Sequence, residues 1–145
     1  MNDERNDGQS IKPLICDLGL SKTVNSSQSS TTSSIQGVLA YIAPEVLHSH
    51  KFTQKSDIYS FGIIMHQIAS GEPPFRDYTS DDYLAIRICD GLRPEMPDSA
   101  PGAYKKLAER CCDADPNSRP DVAELWFILY DLDEEIEKTE NDDKV

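Results

Sequence analysis

Hydrophobic residues recur at helical spacing through the middle of the chain. Between Ser56 and Ser70, apolar side chains lie three or four residues apart. They are Ile58, Phe61, Ile64, Met65 and Ile68. Ile63 and Ala69 widen this apolar surface, so the pattern predicts a helix that is buried on most sides. Ser56 is the expected N-cap, and Gly71 is expected to end the helix.

Three further helices follow from the same kind of pattern. One is expected from about Ser80 to Cys89, ended by Gly91, and another from about Pro101 to Cys112. The last helix is expected to start near Asp121, because Asp121-Val-Ala-Glu124 has the layout of a capping box. Its apolar residues are expected to form one stripe, made of Val122, Leu125, Trp126, Leu129 and Ile136.

The N-terminal part of the chain predicts one strand and one loop. Residues 1–10 form a polar lead-in, and residues 11–20 form a short, largely apolar strand with its exit. Residues 21–37 are rich in hydroxyl side chains and have no apolar periodicity, which predicts a loop. The triplet Asn25-Ser-Ser27 matches a glycosylation signal, and we interpret it as a chance match because no secretion signal precedes it.

The net charge and the length of the chain limit the kinds of binding partner that we expect. The chain has 145 residues and a formal net charge of −12. Such a chain repels phosphate backbones and anionic lipid head groups, so neither nucleic acid nor a membrane is an expected partner. No apolar run approaches the roughly 20 residues that span a bilayer, and the N-terminus is not signal-like, so we expect a soluble cytoplasmic protein. Residues 131–145 are expected to form an acidic helix end and a solvated tail.

Four short motifs carry the specific signal. Each is weak alone, because tripeptides arise often by chance. In order they are Asp17-Leu-Gly19, Ala43-Pro-Glu45, Asp57-Ile-Tyr-Ser-Phe-Gly62 and Cys111-Cys-Asp-Ala-Asp-Pro-Asn-Ser-Arg119-Pro120. Together they resemble the second half of a eukaryotic protein kinase domain, over residues 11–130. The resemblance implies a mainly α fold: the large C-terminal lobe, from the strand before the Asp-Phe-Gly position through the last helix, without the N-terminal lobe.

At two positions the sequence differs from the usual kinase residues, and both bear on which branch of the family it resembles. Cys111-Cys112 stands where tyrosine kinases and tyrosine-kinase-like kinases usually have Cys-Trp, which points to the tyrosine-kinase-like branch of Ser/Thr kinases. Kinases of that specificity usually have Gly-Thr before the Ala-Pro-Glu motif, whereas this chain has Gly37-Val38. Valine has no hydroxyl to contact the catalytic loop, so the choice between Ser/Thr and Tyr substrates stays open.

The resemblance assigns roles to single residues. Asp17 matches the carboxylate that ligates Mg²⁺ beside the ATP phosphates, and Leu18 and Gly19 match the hinge of the activation segment, which would span residues 17–45. Glu45 and Arg119 match a structural ion pair that holds this segment to the lobe. A further acid, Asp57, matches the residue that anchors the backbone of the catalytic loop.

The hydroxyl-rich loop falls within this activation segment. Its candidate phosphorylation sites are Ser29, Ser30, Thr31, Thr32, Ser33 and Ser34. A phosphate would add charge and could order the loop through basic residues, although a merely soluble loop explains the composition equally well. We interpret His48 and His50 as loop residues and His66 as a helix residue, all three without chemistry.

The cysteines have no metal-ligand or C-x-x-C spacing, so reduced thiols are expected. A redox pair at Cys111-Cys112 is the alternative. Several catalytic parts of a kinase do not occur in this sequence, namely a glycine-rich loop, a strand lysine and a His-Arg-Asp loop. A complete kinase would use ATP and Mg²⁺, but we expect neither to bind tightly to this chain alone. The helix that packs beside the Asp57 helix in kinases is also missing, so an apolar face should be open to water.

Three functional hypotheses remain. In the first, the chain is a fragment of an active Ser/Thr kinase that acts on protein substrates. In the second, it is a non-catalytic module that binds regulatory proteins, and in the third it is a remnant without function.

Overall fold

The computed structural model describes Cys16 and residues 39–142, with side chains up to Glu134. Within those residues the chain forms helices and loops without a strand, in agreement with the mainly α prediction. Apart from Cys16, the predicted strand at 11–20 and the loop at 21–37 lie outside the described residues. The α-helices are α1 (Pro44–Ser49), α2 (Gln54–Ser70), α3 (Asp81–Cys89), α4 (Gly102–Cys111) and α5 (Val122–Asp142), with 3-10 turns at Leu39–Tyr41 and Pro116–Ser118.

Helix α2 begins with a capping box. The N-cap is Thr53, whose Oγ1 accepts a hydrogen bond from the backbone N–H of Ser56 at 3.2 Å. In return the backbone N–H of Thr53 donates to the Ser56 hydroxyl at 2.8 Å. The prediction that Ser56 is the N-cap was therefore wrong, because it occupies the third helical position. Gly71 ends the helix in the left-handed region, at φ 70°, where a side chain would be strained.

Helix α2 contacts two groups of buried side chains. One group joins it to α4 and α5 and consists of Ile58, Met65, Leu107, Ala108, Cys111, Leu125 and Leu132. The other joins it to the segment before it and consists of Ile42, Ala43, Val46, Tyr59, Ile63 and Cys112. A third face carries Ile64 and Ile68, which are 42% and 71% exposed. The helix is thus buried on two sides, and its third apolar face is open to water.

Helix α2 and the end of α4 approach each other closely at Gly62. A Cβ atom at this position would lie 2.6 Å from the Cys112 sulfur and 2.7 Å from Cys111 Cβ. Real side chains do not tolerate such distances, so glycine is required inside this helix despite its low helix propensity.

Helices α3 and α4 lie within one residue of their predicted bounds. Ser80 is the N-cap of α3 and accepts a hydrogen bond from the Tyr83 N–H at 3.4 Å. Helix α3 buries Leu84 and Ile88, and α4 buries Leu107, Ala108 and Cys111 against α2.

Helix α5 is capped by Asp121, whose carboxylate accepts a hydrogen bond from the Glu124 N–H at 2.8 Å. Leu125 and Leu132 face the core, but Val122 and Trp126 are 58% and 59% exposed. The prediction of one apolar stripe was therefore wrong, because the apolar residues of α5 divide between an inner and an outer face. No helix among the described residues is long and apolar enough to cross a bilayer.

The short helix α1 was not predicted. Pro44 occupies its first turn, where the missing N–H costs nothing, and His50 follows its end with φ 56°. His48 therefore lies on a helix rather than in the loop that the sequence suggested, and its Nδ1 lies 2.9 Å from the Pro44 carbonyl oxygen.

Candidate functional site

Arg119 is the largest side chain that is fully buried within the described part of the chain, at 1% exposure. It follows the 3-10 turn Pro116–Ser118 and precedes Pro120. Its two terminal nitrogens donate to the two carboxylate oxygens of Glu45, at 2.7 and 2.8 Å. Two parallel charge-assisted bonds are a strong and directional arrangement for this pair of groups.

The remaining bonds of Arg119 go to backbone carbonyls. Its Nε donates to the Asp113 oxygen at 2.9 Å, and one terminal nitrogen also donates to the Lys55 oxygen at 2.8 Å. The Lys55 ammonium in turn donates to the Arg119 carbonyl at 2.7 Å. Arg119 thus fastens together the start of α1, the start of α2 and the loop after α4. The Arg119 side chain is 0% exposed and the Glu45 side chain is 24% exposed, and removing one member of such a mostly buried pair typically costs about 3–5 kcal/mol, because the other charge is left unpaired.

Tyr59 of α2 lies against two guanidinium groups. The carbon at the centre of each guanidinium, in Arg93 and in Arg119, lies 5.1 Å from the centroid of the Tyr59 ring. The ring is fully buried, and burial raises the pKa of its phenol. Its hydroxyl has no hydrogen-bond partner among the described residues. The aromatic face therefore interacts with both cations, while the polar tip remains unsatisfied.

Arg93 extends this arrangement toward α3 and α4. Its Nε donates to the Cys112 oxygen at 2.7 Å, and a terminal nitrogen donates to the oxygens of Ile88 and Leu92, at 3.0 and 2.7 Å. Sequence reasoning missed both Arg93 and Lys55. Each donates to backbone carbonyls, which every residue possesses, so no side-chain pattern marks these contacts.

Asp57 lies in the first turn of α2 and is exposed. Partial burial of its carboxyl raises the pKa of this group. No hydrogen bond or ion pair to the carboxyl occurs among the described residues. The predicted contact with a catalytic-loop backbone therefore stays a prediction.

At the end of α4, Cys111 and Cys112 pack against Gly62 of α2. Burial raises the pKa of Cys111 to about 11 and that of Cys112 to about 12. Both are free cysteines. Because the thiolate is the reactive form, such thiols are poor nucleophiles, and the structural interpretation is favoured over a redox pair.

A second cysteine contact, between Cys89 and His48, was not foreseen. The sulfur of Cys89 lies 3.7 Å from His48 Nδ1, and burial raises the pKa of this thiol. The same Nδ1 lies 2.9 Å from the Pro44 carbonyl, which can only accept. Nδ1 therefore carries the proton and cannot deprotonate the thiol, so this pair is not a catalytic dyad.

A sequence model described as protein tyrosine and serine/threonine kinase matches residues 6–129. The match covers most of the chain. The chain belongs to this kinase family. The resemblance seen in the motifs is thereby confirmed.

Relatives of this kinase chain are long proteins. Dual specificity protein kinase shkE of Dictyostelium discoideum is 40% identical over 116 residues, which cover 77% of this chain and 16% of the relative. Dual specificity protein kinase shkA of the same organism is 33% identical over 124 residues, covering 81% and 24%. Mitogen-activated protein kinase kinase kinase 12 of Rattus norvegicus is 32% identical over 115 residues, covering 79% and 13%. The chain spans less than a quarter of the length of each of these kinases.

Several predicted kinase residues lie outside the described part of the structure. These are the metal-binding candidate Asp17, the hinge residues Leu18 and Gly19, and the hydroxyl residues at 29–34. Among the residues that are described, no group of three or more His, Cys, Asp or Glu side chains could hold a metal ion. Of the predicted site residues, the structure brings together Glu45 and Arg119. Asp57 lies in the first turn of α2, and no hydrogen bond joins its carboxyl to either of them.

Proposed function

We propose that this chain is the large-lobe part of a protein Ser/Thr kinase. The complete protein transfers the γ-phosphate of ATP to hydroxyl groups of protein substrates. The observation that carries the proposal is the two-bond pair between Glu45 and the fully buried Arg119. It fastens the Ala43-Pro-Glu45 motif, where the proposed activation segment of residues 17–45 ends, to α2 and to the loop after α4.

The other roles rest on the kinase motifs. Asp17 would supply a carboxylate oxygen, the ligand type that Mg²⁺ prefers, and Leu18 and Gly19 would let its segment move. Asp57 would accept hydrogen bonds from a catalytic-loop backbone, for which its unused carboxyl is available. Bound Mg·ATP would supply the phosphoryl group. Since a glycine-rich loop, a strand lysine and a His-Arg-Asp loop do not occur in the sequence, we propose that this chain alone is inactive.

The test of catalysis uses the longest protein that the native transcript encodes. We expect transfer of labelled γ-phosphate to Ser or Thr of a protein substrate, with loss of activity in Asp17→Asn, which keeps the shape of the side chain but removes its charge. Asp131→Asn is the matched control, because Asp131 is an exposed acid on α5. Absence of transfer by a folded wild-type protein would contradict the proposal.

The inactivity of the isolated chain has a separate test. Calorimetric titration of the 145-residue chain with ATP and Mg²⁺ is expected to show no saturable heat, because the sequence has a single predicted metal-binding carboxylate and contains neither a glycine-rich loop nor a strand lysine to hold the phosphates. Saturable binding in the micromolar range would show this expectation to be wrong.

Regulation by phosphorylation is part of the proposal. We expect phosphate on at least one of the hydroxyl residues between 29 and 34, since a phosphate there could order the activation segment by pairing with basic side chains. Mass spectrometry of the protein from native cells checks this. Full coverage of this segment with only unmodified peptides would exclude it.

A second candidate function is a non-catalytic binding module derived from a kinase lobe. The exposed Ile64 and Ile68 on α2 would supply its interaction face, since exposed apolar surface marks such faces; the same exposure is expected of a kinase part whose neighbouring helix is missing, so a separate test is needed. The 5′ end of the native transcript separates the candidates. An open reading frame that encodes the missing catalytic parts supports the kinase, and a transcript without them supports the binding module.

A further inference from the structure

A pocket opens beside His66, where helix α2 faces α4 and the segment that joins α3 to α4. Its volume is about 500 Å³, which is the size of a typical small-molecule site. Helix α2 contributes His66 to its lining, the joining segment contributes Pro94 and Met96, and α4 contributes Lys105 and Glu109. We call this space the His66 pocket.

His66 is a buried polar side chain that lines the pocket without a hydrogen bond. It is 4% exposed, and neither of its ring nitrogens has a hydrogen-bond partner among the described residues. The backbone of Glu95 approaches the ring without completing a hydrogen bond. Buried polar groups normally have partners, and a neutral imidazole has one N–H donor and one acceptor nitrogen. An occupant of the pocket that donates to the acceptor nitrogen would supply a missing partner.

The two cationic side chains that line the pocket are already engaged. Arg93 donates to the carbonyl oxygens of Cys112, Ile88 and Leu92, at 2.7, 3.0 and 2.7 Å. The Lys105 ammonium donates to the Asp98 carbonyl at 3.2 Å and lies 3.7 Å from the carboxylate of the same residue. Neither cation therefore needs an anionic ligand.

The two carboxylates that line the pocket, Glu95 and Glu109, are in the opposite situation. Both residues are exposed, and within the part of the chain that the structure describes neither carboxylate has a salt bridge or a hydrogen bond. The charge of Glu109 acts on the His66 ring, because it partly opposes the lowering of the His66 pKa by burial. The pocket thus combines an acceptor nitrogen and two unpaired carboxylates with the apolar surfaces of Pro94 and Met96. This combination suits a cation that carries N–H donors on an apolar stem.

We propose that the His66 pocket binds an alkylammonium group, supplied either by a free amine or by a lysine side chain. The ammonium donates to the acceptor nitrogen of His66 and lies beside Glu109, and the alkyl stem packs on Met96. A metal ion fits less well, because the described residues contain no group of three or more His, Cys, Asp or Glu that could hold one. The site goes beyond the proposed phosphoryl transfer and uses none of the residues to which a kinase role is assigned.

Calorimetric titration of the 145-residue chain with small molecules that share a butyl stem tests the proposal. Butylammonium has both charge and N–H donors, butyltrimethylammonium has charge alone, butanol has a neutral donor, and pentanoate has the opposite charge. We expect saturable binding of butylammonium alone, weakened several-fold as salt is raised, because the carboxylates lie at an open rim. Nuclear magnetic resonance of the His66 ring nitrogens should show a saturable shift with the same molecule.

The two sources of the ammonium are separated by a further pair of titrations. One uses butane-1,4-diamine, and the other uses lysine blocked at its amino and carboxyl ends. Tighter binding of the diamine would identify a free amine as the ligand, since its second ammonium can reach Glu95. Tighter binding of the blocked lysine would identify a protein side chain. Either result supports the site itself.

Variants locate the contact. Glu109→Gln is expected to weaken butylammonium binding about tenfold, as loss of a hydrogen bond to a charged group does. Glu124→Gln is the matched control, because it makes the same change at an exposed carboxylate that does not line the pocket, and it should bind as the wild type does. His66→Phe should also weaken binding, because it removes the acceptor nitrogen.

Three results would overturn the proposal. One is the absence of saturable heat with every small molecule, which would leave water as the partner of His66. Another is equal binding of butylammonium and butyltrimethylammonium, which would show that charge alone is recognised. The last is unchanged butylammonium binding in both Glu109→Gln and His66→Phe, which would place the amine elsewhere on the protein.

Discussion

Arg119, which bonds to the start of α2, and His66, which lies on α2, are both buried, but they differ in their hydrogen bonding. Arg119 is 1% exposed and donates to Glu45 and to the carbonyls of Asp113 and Lys55. His66 is 4% exposed, yet neither of its ring nitrogens has a hydrogen-bond partner among the described residues. The backbone of Glu95 approaches the His66 ring without completing a hydrogen bond.

The surroundings of the two side chains differ as well. Around Arg119 the contacts are close and polar, since the oxygens of Glu45, Asp113 and Lys55 lie 2.7–2.9 Å from its nitrogens. Beside His66 lies an open pocket of about 500 Å³, lined by His66, Arg93, Pro94, Glu95, Met96, Lys105, Glu109 and Cys112.

The difference follows from whether each side chain can lose its proton. Arginine keeps its charge at every accessible pH, so it can be buried only where acceptors surround it. Histidine can release its proton, and burial therefore lowers the pKa of His66, an effect that the Glu109 carboxylate partly opposes. The Arg119 region should accordingly be sensitive to mutation, and the His66 region should be sensitive to pH.

The largest expected effect is at the ion pair. Arg119→Met should lower the free energy of unfolding by about 3–5 kcal/mol, because it strands the Glu45 carboxylate and two backbone carbonyls. Urea denaturation followed by circular dichroism measures it.

An exposed ion pair provides the matched control for Arg119→Met. Arg110 and Glu124 also form two bonds, but their side chains are 43% and 42% exposed. Glu124→Gln should therefore change stability far less than Arg119→Met does, because water replaces the lost partner. Equal losses in the two variants would mean that burial of Arg119 contributes nothing.

Gly62→Ala should have the next largest effect. The added methyl group would meet Cys112 and Cys111 at less than 3.0 Å, so α2 and α4 must move apart. Overpacking of this kind costs about 1–3 kcal/mol, measured by the same denaturation. Gly102→Ala is the control, because nothing lies within 4 Å of a Cβ at that position. A Gly62→Ala variant as stable as the wild type would contradict the close approach.

A smaller effect is expected from acid. In the unfolded chain His66 should titrate near its ordinary pKa of about 6.5, whereas burial lowers the pKa in the folded protein. The unfolded chain then binds the proton more readily, so the free energy of unfolding should be constant above that pH and fall as the pH drops below it.

The variant His66→Phe isolates this contribution. It fills a similar volume without titrating, so its stability should fall less steeply than that of the wild type as the pH drops below about 6.5, the ordinary pKa of histidine. At neutral pH it should be as stable as the wild type or more so, because an unsatisfied polar group has been removed. Identical pH profiles would show that His66 does not titrate with folding.

The smallest effect is expected on the exposed face of α2. Ile68 is 71% exposed, so Ile68→Ser should change the free energy of unfolding by less than about 0.5 kcal/mol. Ile63→Ser, on the buried face of the same helix, should cost several times more. Comparable losses would show that the outer face is covered in the folded chain.

The success of the sequence predictions followed the strength of local signals. The bounds of α3 and α4 were predicted to within a residue, because Ser80 and Pro101 mark their starts. Helix α1 has six residues and no room for a periodic pattern, so it was missed. On α5, adjacent apolar residues fit an inner stripe equally well, and only packing decides that Leu125 faces inward while Trp126 faces outward.

In the candidate site, too, some contacts were predicted from the sequence and others were not. Glu45 and Arg119 were predicted as partners because a family motif contains each of them. The contacts of Lys55 and Arg93 were not predicted, because their acceptors are backbone carbonyls. Asp17 and its neighbours lie outside the described residues, and their roles stay predictions.

A double-mutant cycle between Glu45 and Arg119 tests the central claim most directly. The stabilities of Glu45→Leu, Arg119→Met and the double variant are measured against the wild type by urea denaturation. Because the two side chains act as one buried pair, the double variant should be more stable than the sum of the single losses implies, by about 1–3 kcal/mol. Losses that add to within about 0.5 kcal/mol would show that the two residues act independently, and would contradict the proposed anchor of the activation segment.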